Sequence, residues 1–281
     1  MEQDCGPARV ARGAQSQLFY QSEGLRLKMR HIIQPFPRCQ MPRFYCPQPL
    51  ATGAVIALPD GVAHHAWVVR LQPGAGLTLF NGDGGEYLAE LADVEKKRAS
   101  ARIIAFVPRE CELPYRITLA QALPEAAKMD WIIEKAVESG VAAIQPLAAQ
   151  RSVVKLSAER AEKRLAHWHG VIVAASEQSG RNRLASLGSL DHVDAWIGQP
   201  DPQTRILLTP RATLSLTEWA RRHGPQDVTL MIGPEGGYSE QEEDRAIAGG
   251  ALALSLGPRV LRTETAGIVA VAALNALWGG L

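Results

Sequence analysis

The chain has 281 residues, 46% of them hydrophobic and 21% charged, enough to bury one large core or two modest ones, which excludes a disulfide-held miniprotein. Thirty Lys plus Arg face twenty-nine Asp plus Glu, so a net charge of +1 creates no chain-wide positive field, and any nucleic acid must be met by a local patch. The basic residues are mostly arginine, which suits bidentate phosphate or carboxylate recognition and fits a GC-rich genome equally well.

Residues 1 to 40 mix Gln, Ser, Gly and Arg without apolar periodicity and break at Pro35 and Pro37, so they read as a disordered extension, with Met41 as the natural start. From Arg43 to about Val107 short β-type runs alternate with turns. The string Asn81-Gly82-Asp83-Gly84-Gly85 between two such runs is a hairpin signal, and the segment reads as a small antiparallel sheet or barrel. After the junction between Pro108 and Pro114 strands alternate with helices, the pattern of a parallel sheet covered on its faces. Arg116 to Ala120 reads as a strand, and Lys128 to Ser139 as a helix with Met129, Ile132, Ile133, Ala136 and Val137 on one face, stopped at Gly140. A longer helix lies between Ser157 and Gln178, with Ala161, Leu165, Trp168, Ile172 and Ala175 facing the core. Ile206 to Thr209 is a strand, and Ser215 with Glu218 forms a capping box for a helix ending near Gly224.

Two further strand-to-helix units end the chain. Strand Val228 to Ile232 runs into Gly233-Pro234-Glu235-Gly236-Gly237, after which Ser239 and Glu242 form a second capping box. A loop this rich in glycine admits close approach of a ligand, although a plain tight turn explains it about as well. It lacks the Gly-Lys-Ser/Thr of a phosphate cradle and the G-x-G-x-x-G of a dinucleotide site, and five acids occur before Arg245, so a neutral or cationic ligand is the compatible kind. The last strand, Ala251 to Leu256, meets Gly257-Pro258-Arg259-Val260-Leu261-Arg262-Thr263-Glu264-Thr265-Ala266, followed by a helix apolar on nearly every side as far as Trp278. Polar groups packed between buried elements are costly unless paired or used, and an Arg262 to Glu264 structural pair is the plainer alternative.

The four cysteines, Cys5, Cys39, Cys46 and Cys111, form no C-x-x-C pair and have no histidine at ligand spacing, so a reducing compartment and no metal are expected. The apolar run after Glu264 falls short of the roughly 20 residues that a membrane span needs, so no membrane partner is expected.

The two glycine-containing strings resemble the RsmE group of SPOUT methyltransferases, which methylate N3 of a uridine in 16S ribosomal RNA. The resemblance extends through Lys128-Met129-Asp130, Glu138-Ser139-Gly140-Val141, Gln150 to Lys155, Glu177 to Arg183, and Pro42-Arg43-Phe44-Tyr45, and so covers nearly everything from Met41 onward. Ser139 departs from it, standing where the pattern has Leu. The resemblance implies a PUA-like β-barrel over residues 41–110 that binds RNA and a SPOUT α/β domain over 114–281 with a trefoil knot. It also implies S-adenosylmethionine as cofactor, a homodimer through the last helix, the small ribosomal subunit as partner, and a cytoplasmic location.

On that reading the cofactor would be gripped around Leu208 and Thr209, around Ile232, Gly233, Pro234, Gly236 and Gly237, and around Leu256, Gly257, Val260, Leu261, Thr263 and Ala266. Uridine N3 carries a proton at neutral pH, and its removal leaves an anion that a nearby cation must stabilise, for which Arg262 is the first candidate. Glu264 or Glu235 accepts the proton, orients Arg262 or binds ribose hydroxyls, and sequence does not choose among these. For RNA, residues 151–183 hold seven basic side chains against three acids, and Arg151, Lys155, Arg181, Asn182 and Arg183, with Arg43 from the first domain, are the candidates. Two alternatives stand beside this: transfer to a ribose 2′-hydroxyl or to transfer RNA, and a non-catalytic RNA-binding module of ribosome assembly.

Overall fold

The computed structural model describes residues 41–125, 128–154 and 157–280; the extension expected over residues 1 to 40, and Lys155, lie outside them. Short apolar runs cut by turn glycines fold into the first sheet: β1 (Arg43–Tyr45), β2 (Val55–Ala57), β3 (Gly76–Phe80), β4 (Glu86–Val94) and β5 (Ala99–Val107), in the order β1-β3-β4-β5-β2. The hairpin read at Asn81 to Gly85 joins β3 to β4, and Gly82, Gly84 and Gly85 all have positive φ, which explains three glycines in five residues. Two features correct the sequence reading. β1 pairs with β3 in parallel, so the sheet is mixed, and a helix, α1 (Asp60–Val68), stands within a segment that read as strands only. The side chains of Phe44, Leu77, Leu79, Leu91 and Ile103 form this sheet's own core with Val62 and Ala63 of α1.

The second sheet is parallel throughout. Its strands are β6 (Ile117–Ala122), β7 (Ala143–Ala148), β8 (Ser186–Leu187), β9 (Asp191–His192), β10 (Thr204–Leu208), β11 (Val228–Ile232) and β12 (Leu252–Leu254), ordered β12-β10-β11-β6-β7-β8 with β9 also on β7. Alternation along the central strands divides two apolar layers. Leu119, Ile206 and Leu230 face one core with Met129 and Ile133 of α2 (Lys128–Glu138), Trp168 and Ile172 of α3 (Ala158–Ser179), Trp219 of α5 (Leu216–Arg222) and Leu274 of α7 (Thr263–Trp278). Ala120, Leu207 and Met231 face the other, with Trp196 of α4 (Val193–Ile197) and Ala246 of α6 (Glu240–Ala248). All five residues expected on the inner face of α2 are buried, and Gly140 ends it at a φ of 89°.

The last strand is shorter than the residues 251–256 expected. Ser255 instead bridges to Ser215, and Gly257 turns the chain away at a φ of 96°. At α5 only half of the expected capping box forms, because the Ser215 side chain accepts from the Glu218 N–H and the return bond is absent among the described residues.

Candidate active site

In a parallel sheet every strand delivers its carboxyl end to the same side, and β12, β10 and β11 are neighbours, so the loops after Leu208, Ile232 and Leu254 meet. Hydrogen bonds hold them together. The Thr209 N–H donates to the Leu254 carbonyl (3.0 Å) and the Ser255 N–H to the Leu214 carbonyl (2.9 Å). At the start of α7 the Thr263 hydroxyl donates to the Gly233 carbonyl (2.6 Å) and itself accepts from Gln121 Nε2 (3.0 Å), at the end of β6. That network fixes the orientation of the Gln121 amide, since the same nitrogen also donates to the Ala122 carbonyl.

The 233–237 turn is tight. The Gly237 N–H closes on the Pro234 carbonyl at 2.8 Å, and a Cβ on Gly233 would come within 2.9 Å of the Tyr238 nitrogen, so only glycine fits there. Beneath it the buried Tyr238 hydroxyl donates to the Ile232 carbonyl (3.0 Å), and burial pushes its pKa up, so it stays neutral. Arg151, from the loop after β7, reaches over the turn and donates to the carbonyls of Gly236 (3.0 Å) and Tyr238 (3.3 Å).

The two candidate acids have different surroundings. Glu235 Oε1 accepts from Lys128 Nζ at 2.6 Å and from the Glu125 N–H at 3.0 Å. Burial alone would raise its pKa, but these bonds outweigh burial and hold it below the usual carboxylate range. A carboxylate so engaged is a poor proton acceptor. Glu264 Oε2 is buried without a partner, as is Gln121 Oε1. Arg262 caps α7, is exposed, and makes no ion pair or side-chain hydrogen bond among the described residues; the alternative of an Arg262 to Glu264 pair is not realised. Thr209 spends its hydroxyl on Glu243 (3.3 Å), which Arg211 also engages, so only the backbone of Thr209 remains for a ligand. The capping box at Ser239 and Glu242 is complete, and the other oxygen of Glu242 accepts the Gln150 N–H (2.8 Å). The acids after the turn are therefore partly structural.

A cavity of about 700 Å³ lies beside this site at the tips of β7 and β9, lined by Leu123, Gln150, Ser152, His192, Gln241 and Glu242 among others, and none of the residues expected to hold the cofactor lines it. No group of three or more His, Cys, Asp or Glu suited to a metal exists among the described residues, and none of the described helices is long and apolar enough to cross a membrane.

Three of the expected RNA contacts are corrected by burial. Arg181 is 4% exposed at its side chain, bonds Glu112 through two nitrogens, and donates to the carbonyls of Val137 (3.0 Å) and Val141 (2.8 Å). Asn182 is fully buried, accepts from Arg43 and donates to the Arg109 carbonyl. Arg43 bonds Glu86 (2.7 Å) and the Arg181 carbonyl (2.9 Å). The cause is local: α3 ends at Gly180 with a φ of 79°, and the reversal sends residues 181 and 182 into the seam with the first sheet. Glu86 is the hub of that seam, 9% exposed and shared by Arg43 and Arg109, while the Tyr45 N–H donates to Glu177 (2.8 Å). Sequence reasoning missed Glu86, Arg109, Glu112 and Gln121. For Gln121 a signal exists, a long polar side chain in an apolar strand; for the others burial is set by tertiary contact. Arg151 and Arg183 stay exposed, the latter paired with Glu110 (3.1 Å).

The profile of the RNA methyltransferase domain matches residues 111–275, and that of the RNA methyltransferase PUA domain matches residues 58–104. The ribosomal RNA small subunit methyltransferase E of Buchnera aphidicola is 30% identical over 244 residues, 86% of this chain and 98% of that protein. The crystal structure of the Neisseria gonorrhoeae enzyme of the same name, bound to S-adenosyl methionine, superposes with a TM-score of 0.79 at 39% identity, over 85% of this chain and 98% of that one. A Legionella pneumophila methyltransferase with bound SAM gives a TM-score of 0.80 at 37% identity, over 84% and 98%.

Proposed function

This chain belongs to the ribosomal RNA small subunit methyltransferase E family, and from that premise we propose that it transfers a methyl group from S-adenosylmethionine to N3 of a uridine in 16S ribosomal RNA. The observation that carries the reading is the joining of the 233–237 turn to the start of α7 through Thr263 and Gly233, which sets Arg262 and the unpartnered oxygen of Glu264 beside the turn.

The residues present fit the cofactor. Apolar side chains and backbone groups of the three loops suit its adenosine, and a buried carboxylate oxygen without a donor favours a cationic ligand. Leu208, Ile232, Gly236, Gly237, Leu256, Gly257, Val260, Leu261 and Ala266 would hold it with their backbone and apolar atoms. Bound there, it supplies an electrophilic methyl group on a sulfonium. The protein's own task is positioning and charge. Glu264, the acid with a free acceptor oxygen, takes the N3 proton, and the Arg262 guanidinium stabilises the charge that spreads onto the uracil carbonyls. Glu235, committed to Lys128, braces the turn. Arg151, Arg183 and Lys155 remain as phosphate contacts. The exposed side of α7, with Val269, Ala272, Ala276 and Leu277, is apolar and supports a homodimer through this helix, and the α/β domain carries the trefoil knot of the family.

The test is methylation of small subunits from a strain lacking this activity, with labelled cofactor, followed by mass spectrometry of the nucleosides. N3-methyluridine is expected; 2′-O-methylribose, or label in transfer RNA, would replace this reading with one of its relatives, and a folded protein that fails to bind the cofactor calorimetrically would support the assembly-factor reading.

A further inference from the structure

Among the described residues Arg70 is the one non-glycine with positive φ, at 58°, while eleven glycines take that conformation. It stands directly after α1, where the Arg70 N–H donates to the Trp67 carbonyl (3.0 Å) and the Leu71 N–H to the Ala66 carbonyl (2.9 Å). This is the Schellman arrangement, and Arg70 fills its left-handed position, the place where a Cβ is disfavoured and glycine is the usual occupant. A cation at a helix C-terminus gains from the macrodipole, but less than the left-handed backbone costs an arginine. Leu71 packs against the barrel core, and the described residues include no ion-pair partner for the Arg70 side chain, so the strained backbone holds a free guanidinium out from the surface.

The surroundings are equally unlike a solvated helix end. Val62, Ala63 and Ala66 of α1 are buried, whereas Trp67, Val68 and Val69 are 48%, 59% and 48% exposed, and His64, one turn before Trp67 and Val68, is exposed beside them. The helix's single acid, Asp60, lies at the opposite end. A large exposed indole next to an arginine, without an acid between them, combines a stacking platform with a phosphate contact.

We propose that the C-terminal end of α1 is a docking site for an unpaired segment of ribosomal RNA, with a base stacked on Trp67 and the adjoining phosphate held by Arg70. A polyanion with exposed aromatic faces complements a cation beside an indole. The inference rests on the reading that ribosomal RNA is the substrate. It assigns the barrel a contact that none of the sequence candidates included.

Arg70→Gly separates function from fold, because the two are expected to move in opposite directions. Glycine relieves the left-handed backbone, so the thermal midpoint should rise by about 2 to 4 °C. With small subunits from the strain lacking methylation as substrate, KM should rise about fivefold with kcat within twofold, and the slope of log KM against log salt should flatten by about one. Trp67→Ala should raise KM about tenfold with less change in slope, and Trp67→Phe should recover part of it. A higher midpoint with unchanged KM and slope overturns the proposal, and so does a lower midpoint, which would make the guanidinium structural. If Trp67→Ala instead lowers the mass of the free protein in sedimentation, the patch is a contact between copies and the proposal fails. Wild-type protein measured in parallel reports separately on the underlying function, since its own failure to methylate would not depend on either variant.

Discussion

The arginines of the domain seam and Arg262 at the strand tips have the same chemistry and opposite circumstances. Arg43, Arg109 and Arg181 direct their nitrogens at Glu86, Glu112 and the carbonyls of residues 137, 141, 180 and 181. Arg262 has no internal partner among the described residues. The seam shows what an arginine does for a fold when its hydrogen bonds are met inside, and Arg262 shows one whose side chain is left exposed and unpaired among the described residues.

Substitution at the two places should therefore fail in different ways. The largest effect is expected at Arg262→Ala, where kcat falls about 10² to 10³-fold, the loss of one preorganised cation at a developing anion, while calorimetry shows cofactor affinity within a few-fold of wild type. Unchanged turnover would move the anion-stabilising role elsewhere. Next comes Arg181→Ala, which strands Glu112 and the Val137 and Val141 carbonyls and should cost about 3 kcal/mol in urea unfolding. A variant that kept its stability and lost only affinity for small subunits would return Arg181 to the RNA contacts. The smallest is Glu86→Gln, at about 2 kcal/mol near neutral pH. Burial raises the pKa of Glu86, but the hydrogen bonds and charges of Arg109 and Arg43 outweigh it, and the net shift is downward. Its stabilisation is thus fully present above the ordinary glutamate pKa and fades as pH falls through the depressed value, so the gap between wild type and Glu86→Gln should close in acid. A gap that stays constant from pH 7 to pH 3 would show that the carboxylate charge is irrelevant to the seam.

Much of the fold and of the candidate site is legible locally. Strand β11, the stripe on α2, the capping box at Ser239 and the two glycine strings depend on neighbours a few residues apart, and the structure places them as the periodicity predicts. Strand β7 is not legible because Pro146 interrupts it, and α1 because its apolar residues do not form a clean stripe. The seam is hidden from the sequence for another reason. Arg181 and Asn182 follow a helix-ending glycine, which marks an exposed loop in most chains, and only the approach of a second sheet turns that loop into an interior. Glu235 and Glu264 are indistinguishable as letters; Lys128 separates them, because it occupies one and leaves the other free.

The buried carboxylate at Glu86 has a mechanical consequence. Residues 43–281 form a single compact unit, and Glu86 holds Arg43 and Arg109 while both reach across to the carbonyls of residues 181 and 180, so swinging the first sheet away would strip two guanidiniums of those acceptors. The two halves thus behave as the fixed jaws of a calliper, with a set span between the first sheet and the strand tips.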